Sequence, residues 1–357
     1  MSTPWGFPDF DAHEALHFIT DPATGLRAII AIHSTHLGPA GGGTRFWHYA
    51  DDDEALTDAL RLSRGMSYKN AMAGLPLGGG KAVVLANAER SKSPELLHAL
   101  GGAIDRLGGQ YVTAEDVGMA VDDMIEIARH TNYVAGLPVK AGAVGDGASG
   151  AVGGDPGPHT SLGVYLGIKA AVARALGKDR LAGLTIALQG AGSVASGVAL
   201  HAHAEGARLV IADVDHARAA ALAAQVDGLV VDPDALLATP ADVVSPCALG
   251  AILTEASIAA LNAPIVAGGA NNQLATPADG DRLAARGILY APDYVINAGG
   301  IINVSTEYVG DGDAAVVRRR IEAIPGRLEA IWADSAATGR NPAEVADAMA
   351  QRLIGRG

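Results

Sequence analysis

Cysteine and aromatic side chains are scarce in this sequence of 357 residues. Its single cysteine, Cys247, excludes an intrachain disulfide, and a lone thiol fits a reducing cytoplasm. Aromatic residues make up only 4% of the chain, whereas alanine and glycine are abundant. Small side chains of this kind are typical of closely packed layers of helix on sheet.

Long apolar runs and an excess of positive charge are also missing. No run of 18 apolar residues predicts a membrane span, and the N-terminal sequence has no basic segment followed by an apolar one, as a signal peptide would. The formal net charge is −13, which argues against nucleic acid and anionic membranes as partners. We therefore expect a cytoplasmic protein that binds neither.

Metal and nucleotide-phosphate motifs are not evident either. Among the eleven histidines, His201 and His203 stand two apart on a predicted helix and face different directions. The segment 78–81 resembles part of a phosphate loop, but Ala82 replaces the required hydroxyl residue and Leu75 replaces the first glycine. We expect no metal site.

What the sequence does contain is a pair of lysines in an uncharged segment. Between Arg64 and Glu89 the ionisable side chains are Lys69, Lys81 and Tyr68. Burial disfavours the charged form of a lysine and lowers its pKa. The functional interpretation is a cationic pocket for a small carboxylate. The alternative is a pair of surface lysines that flank a glycine-rich turn.

Length and hydrophobic pattern predict two α/β domains. The predicted elements of the first part are strands at 25–33, 82–85 and 111–113 and helices at 51–66 and 94–107. Residues 140–158 hold seven glycines and two prolines, which predicts an interdomain loop. We expect domains at 1–145 and 146–334, with a C-terminal helix at about 335–357 that returns to the first domain.

Two glycine patterns of the form G-x-G-x-x-[G/A] occur, at 145–150 and 190–195. The first has neither an apolar strand before it nor a helix after it, so we interpret it as loop. The second follows a predicted strand at 184–189 and opens a predicted helix. There the first glycine permits a tight turn, the second lets backbone approach a pyrophosphate, and the small third residue allows close packing.

This second pattern predicts a Rossmann domain that binds a dinucleotide. The candidate contacts are Gly190, Gly192, Ser193, Val194 and Ala195. Asp213 ends the next predicted strand, where a carboxylate can accept hydrogen bonds from an adenosine ribose. A carboxylate there repels a 2′-phosphate, which favours NAD over NADP, although Arg218 lies nearby and leaves NADP open. A Rossmann-like layer without a cofactor is the alternative.

Six further segments carry distinctive motifs. They are Leu37–Arg45 (LGPAGGGTR), Met66–Ala71 (MSYKNA), Leu77–Lys81 (LGGGK), Thr113–Gly118 (TAEDVG), Pro246–Gly250 (PCALG) and Ala291–Gly300 (APDYVINAGG). In their order and spacing these segments resemble the glutamate/leucine/phenylalanine/valine dehydrogenase family, and most closely its branch for apolar amino acids. The resemblance extends from about residue 13 to about residue 310.

The resemblance implies an N-terminal α/β amino-acid-dehydrogenase domain and a Rossmann NAD-binding domain, separated by a cleft. It implies NAD-dependent, reversible oxidative deamination of an L-amino acid to a 2-oxo acid and ammonia. It also implies a homo-oligomer. Because the C-terminal part looks short for the octamer contacts of some relatives, we expect at least a dimer.

The resemblance also implies roles for particular residues. Lys69, with the backbone amides of Gly42 and Gly43, holds the substrate carboxylate. Lys81 activates the attacking water, and Asp116 moves protons to and from the amine and that water. These roles suit chemistry that takes and gives protons near neutral pH, and Lys69 could lower the pKa of Lys81.

Other positions match the family's substrate and cofactor contacts. Asn272 is expected near the substrate, and Thr160 and Asn297 near the nicotinamide. The side-chain pocket is expected from Gly41, Met66, Ala114, Ile301 and Val304. Gly41 leaves room for an aromatic ring, whereas Ile301 suits branched aliphatic side chains, so the preferred amino acid stays open.

Three alternatives compete with these assignments. Glu115 competes with Asp116, but adjacent side chains in an extended segment point to opposite faces, and the family match selects Asp116. A 2-hydroxy acid dehydrogenase would use a histidine base, where this candidate site has lysines and an aspartate. A non-catalytic NAD-binding regulator would have little reason to keep Lys69, Lys81 and Asp116 together.

Overall fold

Two compact units divide the chain. The computed structural model describes residues 3–87, 91–137, 156–310 and 313–357. The first unit comprises Met1–Gly154, Val304–Val316 and Ala350–Gly357, and the second comprises Asp155–Asn303 and Val317–Met349. The glycine pattern at 145–150, the boundary expected at 145/146 and most of the loop at 140–158 lie outside the described residues.

The first part of the chain alternates strand and helix. Its elements are β1 Ala15–Asp21, β2 Leu26–Ser34, β3 Ala40–Gly41, β4 Thr44–Trp47, α1 Asp52–Met72, β5 Gly78–Leu85, α2 Pro94–Asp105, β6 Tyr111–Val112 and α3 Val121–Ala128. The sheet order is β1-β2-β5-β3-β6, and β4 pairs with β5. β1, β2 and β5 are antiparallel neighbours, whereas β3, β4 and β6 join in parallel.

The central strands of this sheet are buried on both faces. In β2, Ile30 and Ile32 point to a core that includes α2 and α3, while Ile29 and Ala31 point to the core beneath α1. A strand covered on both sides reads as a continuous apolar run, which is why the sequence predicted it well. The carboxylate of Asp51 accepts a hydrogen bond from Glu54 N at 2.8 Å and caps α1.

Glycines 78–80 belong to β5, and the sequence placed this strand too late. Methyl carbons on Gly78 and Gly79 would overlap the carbonyl oxygen of Ser34 and the amide of Ser67, respectively. The absence of side chains therefore lets β5 approach β2 and α1 closely. The sequence predicts that α1 ends at residue 66, but the helix continues to Met72. Its last turns pack against the glycines of β5, which have no side chains in the way.

The second unit contains a parallel sheet in the order β12-β11-β10-β7-β8-β9. Its strands are β7 Thr185–Gln189, β8 Arg208–Ala212, β9 Leu229–Val230, β10 Val243–Pro246, β11 Ile265–Val266 and β12 Leu289–Tyr290. Two strand series diverge from β7 and β10, which is the Rossmann order with its switch point between those strands. The two-domain α/β prediction and the Rossmann prediction are confirmed.

Helices cover this sheet and continue to the end of the chain. They are α4 Gly157–Leu176, α5 Ser193–Ala204, α6 His216–Val226, α7 Glu255–Ala260, α8 Ala278–Ala285, α9 Asp293–Ile296, α10 Gly299–Tyr308, α11 Ala314–Glu322, α12 Ile324–Thr338 and α13 Pro342–Leu353. On α12, the buried Trp332 donates from Nε1 to the Tyr290 carbonyl at 2.8 Å. Within the described ranges, no helix has the length and apolar character to span a bilayer.

Candidate active site

A buried lysine meets an aspartate in the first unit. Lys81 lies on β5 with only 4% of its surface exposed, and its Nζ is 2.9 Å from Asp116 Oδ2. Asp116 follows β6 in the segment that begins at Thr113. The structure therefore brings together the two residues that the resemblance assigns to proton transfer.

The surroundings shift the pKa of both groups. Burial lowers the pKa of Lys81, and the nearby Asp116 carboxylate offsets only part of that shift. Burial alone would raise the pKa of Asp116, but the positive charges of Lys81 and Arg45 outweigh it and leave the pKa lowered. The lowered pKa of Lys81 favours loss of its proton, and the lowered pKa of Asp116 favours its carboxylate form, which suits a base beside a charged partner.

Arg45 is a member of this site that sequence reasoning did not assign. It lies on β4, and its Nε donates to Asp116 Oδ2 at 2.8 Å. The positive charge of Arg45 contributes to the lowered pKa of Lys81. The signal was available, because Arg45 is the one charged residue of the segment Leu37–Arg45, whose other residues are small or apolar.

Lys69 and Met66 lie on α1, next to β5. Lys69 is in the last helical turn and is partly buried, as is Met66. The adjacent Asn70 is fully buried, and its Nδ2 donates to the carbonyls of Gly41 at 3.3 Å and Gly78 at 2.5 Å. The helix therefore fixes the Gly41 backbone relative to β5. That Lys69 binds the substrate carboxylate, and that it lowers the pKa of Lys81, stay predictions.

The Gly41–Gly43 segment is held by its peptide groups. The Gly42 N–H donates to the Val112 carbonyl at 3.0 Å, and the Gly42 carbonyl accepts from the buried Tyr111 hydroxyl at 2.6 Å. The Gly42 amide is thus already used in strand pairing. Because a trans peptide directs its N–H opposite to its C=O, Tyr111 also sets the direction of the Gly43 N–H.

The expected pocket residues divide between the two units. Ala114 and Val304 lie in the first unit with Lys81, whereas Ile301 and Asn272 lie in the second. The Ala114 carbonyl accepts from Thr44 N at 2.9 Å, which ties the Asp116 segment to β4. Ile301 and Val304 both lie on α10. The boundary between the two units crosses this helix between Asn303 and Val304.

The dinucleotide turn is built as the sequence predicts. Gly190 follows β7 with φ of 97°, a conformation that favours glycine, and its N–H donates to the Ala212 carbonyl at 2.7 Å. Gly192 caps α5, whose first residues are Ser193, Val194 and Ala195. The turn follows β7, one of the two strands at the switch point, where open α/β sheets bind ligands.

Asp213 supports this turn from the end of β8. Its Oδ2 accepts from Ala191 N at 2.7 Å and its Oδ1 from Asp215 N at 2.8 Å. Burial acts to raise the pKa of Asp213, but these backbone donors and Arg218 leave it lowered, so the group stays ionised. Arg218 Nη2 lies 3.6 Å from Asp215 Oδ2.

Two observations fit a nicotinamide dinucleotide. A methyl carbon on Gly192 would have no described atom within 4 Å. Packing against the described protein atoms therefore does not explain why this residue is glycine, whereas the close approach of a pyrophosphate would explain it. Asn297 Nδ2 donates to Gly269 O at 3.2 Å and Asn271 Oδ1 at 2.7 Å, but its buried Oδ1 has no partner among the described residues. A buried oxygen of this kind needs a hydrogen-bond donor, and the carboxamide N–H of a nicotinamide would supply one.

Thr160 lies in the first turn of α4, in contact with the glycines that open α10. Its Oγ1 donates to the Pro156 carbonyl at 2.9 Å. Methyl carbons on Gly299 and Gly300 would overlap or crowd His159 and Thr160, so these glycines permit α10 to approach α4. Within the described part of the chain, no group of three His, Cys, Asp or Glu side chains is placed to hold a metal ion.

Gly192→Ala should weaken NAD binding about tenfold or more without destabilising the fold. The methyl group occupies space that no described protein atom needs but a pyrophosphate would enter. Isothermal titration calorimetry with NAD measures the effect, and thermal melting checks the fold. Gly65→Ala on α1, which also has no described neighbour within 4 Å, should bind NAD normally. An unchanged affinity in Gly192→Ala would contradict the assignment.

Two family models match the chain. The one described as Glu/Leu/Phe/Val dehydrogenase, dimerisation domain, matches residues 13–133, and the one described as Glutamate/Leucine/Phenylalanine/Valine dehydrogenase matches residues 214–351. The first match contains Lys69, Lys81 and Asp116.

Curated and solved proteins agree with these matches. Leucine dehydrogenase of Bacillus subtilis is 44% identical over 96% of this chain and 92% of its own length. Valine dehydrogenase of Streptomyces albus is 44% identical over 97% and 93%. The crystal structure of L-tryptophan dehydrogenase from Nostoc punctiforme superposes with a TM-score of 0.84, at 40% identity and with 96% of each chain covered. The chain therefore belongs to the glutamate/leucine/phenylalanine/valine dehydrogenase family, as its sequence motifs predicted.

Proposed function

We propose that this protein catalyses the reversible oxidative deamination of an apolar L-amino acid, with NAD as the oxidant and a 2-oxo acid and ammonia as products. As a member of its family it is an oxidoreductase of the amino acid dehydrogenase class. The observation that carries the proposal is the buried Lys81 with its Nζ 2.9 Å from the partly buried Asp116, in a chain that also carries the Gly190–Ala195 dinucleotide turn.

The chain's own residues supply the proton transfers. NAD, when bound, supplies the hydride acceptor for the Cα hydrogen of the amino acid. Water must then add to the resulting iminium carbon and ammonia must leave. We assign to Lys81, whose pKa burial lowers, the removal of a proton from that water. Asp116, which is hydrogen-bonded to Lys81, passes protons to and from the nitrogen that leaves.

Ground-state binding is assigned to other groups. Lys69 pairs with the substrate carboxylate, and the Gly43 N–H is the amide of the Gly41–Gly43 segment that assists it, since the Gly42 N–H already bonds to Val112. NAD would be held by the Gly190–Ala195 turn and Asp213 through its adenosine and pyrophosphate, and by Thr160 and Asn297 at its nicotinamide.

An apolar substrate is supported by the pocket residues and by the relatives. Met66, Ala114, Ile301 and Val304 carry no charge that could pair with a second carboxylate, which disfavours glutamate. The relatives include leucine, valine and tryptophan dehydrogenases. Gly41 and Asn272 complete the proposed pocket. We further propose a cytoplasmic homo-oligomer, since residues 13–133 match a domain described as a dimerisation domain.

A substrate panel tests the proposal. The protein is mixed with NAD and, separately, with leucine, valine, phenylalanine, tryptophan, glutamate or lactate, and absorbance at the NADH band is followed. We expect apolar amino acids to reduce NAD, and glutamate and lactate to be inactive. Reduction by lactate alone would favour a 2-hydroxy acid dehydrogenase. NAD binding without reduction by any compound would favour a regulator of the same fold.

A further inference from the structure

One arginine bridges two carboxylates next to the proposed catalytic pair. Arg45 Nε donates to Asp116 Oδ2 at 2.8 Å, and Arg45 Nη1 donates to Asp58 Oδ2 at 2.8 Å. The Arg45 side chain is 22% exposed and that of Asp58 only 12%. A planar guanidinium with donors in fixed directions can hold two such partners at once, which an ammonium group cannot do with the same geometry.

The far end of this bridge is itself fixed. Asp58 lies on α1, where its Oδ2 also accepts from the Tyr49 hydroxyl at 2.7 Å. Arg61 Nη2 lies 3.7 Å from Asp58 Oδ1. Asp58 is therefore held from β4, from the segment after β4 and from α1 itself. This makes it a firm anchor for Arg45.

The near end determines where the Asp116 carboxylate points. Arg45 Nε and Lys81 Nζ converge on the same oxygen, Oδ2, at 2.8 and 2.9 Å. Asp116 follows the short strand β6, outside any described helix or strand, so its side chain depends on such contacts for a fixed orientation. Without Arg45, the carboxylate would keep Lys81 but lose the second contact that fixes its direction.

We propose that Arg45 is a positioning residue for the reaction, which holds Asp116 Oδ2 against Lys81 by bridging it to Asp58. This inference rests on the proposed function, because it assumes that Lys81 and Asp116 transfer the protons. Arg45 acts through Asp116 and is not itself assigned contact with the substrate.

The charges around Lys81 give this arrangement a measurable electrostatic effect. Burial lowers the pKa of Lys81, Asp116 and Asp58 act to raise it, and Arg45 acts to lower it. Removal of Arg45 should therefore raise the pKa of Lys81, and removal of the Asp58 charge should lower it. Other titratable groups are carried by the elements around the pair. They include Asp52, Asp53, Glu54, Arg61, Arg64, Tyr68 and Lys69 on α1, Arg27 and His33 on β2, His48 and Tyr49 after β4, Tyr111 on β6 and Glu115 beside Asp116.

The test that does not depend on activity is a lysine NMR titration. The sequence contains only six lysines, so ¹³Cε labelling of the intact protein gives few signals, and Lys81→Ala assigns that of Lys81. Relative to wild type, we expect the Lys81 midpoint to rise by roughly 0.5–1 pH unit in Arg45→Met and to fall by roughly the same amount in Asp58→Asn. Arg318→Met removes an exposed arginine from the ion pair with Glu322 and should change nothing.

Turnover separates geometry from charge. Arg45→Met should lower kcat for the best amino acid roughly 10- to 100-fold with little change in the KM for NAD, because the catalytic carboxylate loses its orientation. Arg45→Lys keeps the positive charge but loses the planar guanidinium, whose separate N–H groups donate to Asp116 and Asp58. It should return the Lys81 midpoint toward the wild-type value while kcat stays low.

The possible results distinguish a failure of the positioning role of Arg45 from a failure of the proposed function. Opposite shifts of the Lys81 midpoint in Arg45→Met and Asp58→Asn, with a reduced kcat in Arg45→Lys, support the inference. Folded Arg45 variants with a wild-type midpoint and wild-type kcat overturn it. A wild-type protein that oxidises no amino acid overturns the proposed function instead, and the NMR midpoints still report whether Arg45 and Asp58 act on Lys81. If Arg45→Met does not fold, a lowered Lys81 midpoint in Asp58→Asn together with a reduced kcat in Arg45→Lys supports the inference, and wild-type values of both overturn it.

Discussion

Lys81→Ala should lower kcat for amino acid oxidation about 1,000-fold and leave the affinity for NAD unchanged. General acid–base groups contribute roughly 10²- to 10⁴-fold to rate, and Lys81, whose Nζ lies 2.9 Å from Asp116, is the proposed base. The proposed NAD-binding turn lies in the second unit, so the substitution should not disturb it. Steady-state kinetics gives kcat, and calorimetry gives the dissociation constant for NAD.

Lys92→Ala is the matched control for this prediction. Lys92 also lies in the first unit and pairs with an aspartate, Asp123, but its side chain is 33% exposed. Its loss should leave kcat within about twofold of wild type, because a surface ion pair contributes little. Near-normal turnover in Lys81→Ala would reject the assignment of Lys81 as the proton acceptor, and equal losses in the two variants would point to a general effect on the fold.

Gly42→Ala should cause a large loss of stability. A methyl carbon there would overlap the carbonyl oxygen and carbon of Gly80 and crowd Met66. The overlapping atoms are backbone of β5, which cannot move aside as a flexible side chain could, so we expect a loss of about 3 kcal/mol. Urea denaturation followed by circular dichroism measures the free energy of unfolding.

Gly41→Ala provides the neighbouring comparison. Its methyl carbon would lie 3.2 Å from Leu77 Cδ1 and 3.5 Å from Asn70 Nδ2. Side-chain atoms can adjust by a few tenths of an ångström, so the cost should stay below about 1 kcal/mol. If Gly41→Ala and Gly42→Ala unfold at the same urea concentration, the close approach of residue 42 to β5 is wrong.

Local chemistry explains which parts of the molecule the sequence predicted well. The dinucleotide turn needs a strand, a glycine that can adopt positive φ and a helix, all within about twenty residues. The sequence around Gly190 indicates all three. The buried strand at 26–34 likewise contains a continuous apolar run, at 28–32. Where a structure depends on neighbours in the chain, the sequence carries the signal.

Packing between distant segments explains what the sequence did not predict. Glycine is a poor strand former on its own, so the sequence predicts this strand only from Ala82, although β5 begins at Gly78. The proximity of Ser34, Ser67 and Tyr111 explains why residues 78–80 have no room for side chains. Arg45 and Asp116 are 71 residues apart, and no spacing rule connects them. The roles of individual site residues rest on the family match and on the tests described above.

The three tryptophans differ in exposure, so their fluorescence can report on the unfolding of the two units separately. Trp332 is 1% exposed in the second unit, and Trp47 is 50% exposed on β4 in the first. The third indole, Trp5, is 74% exposed and should emit at long wavelength in both the native and the denatured protein. A shift of emission to the red on unfolding should therefore come chiefly from Trp332. Fluorescence would follow the loss of the Rossmann sheet, while Trp47→Phe would isolate any contribution from the other half of the chain.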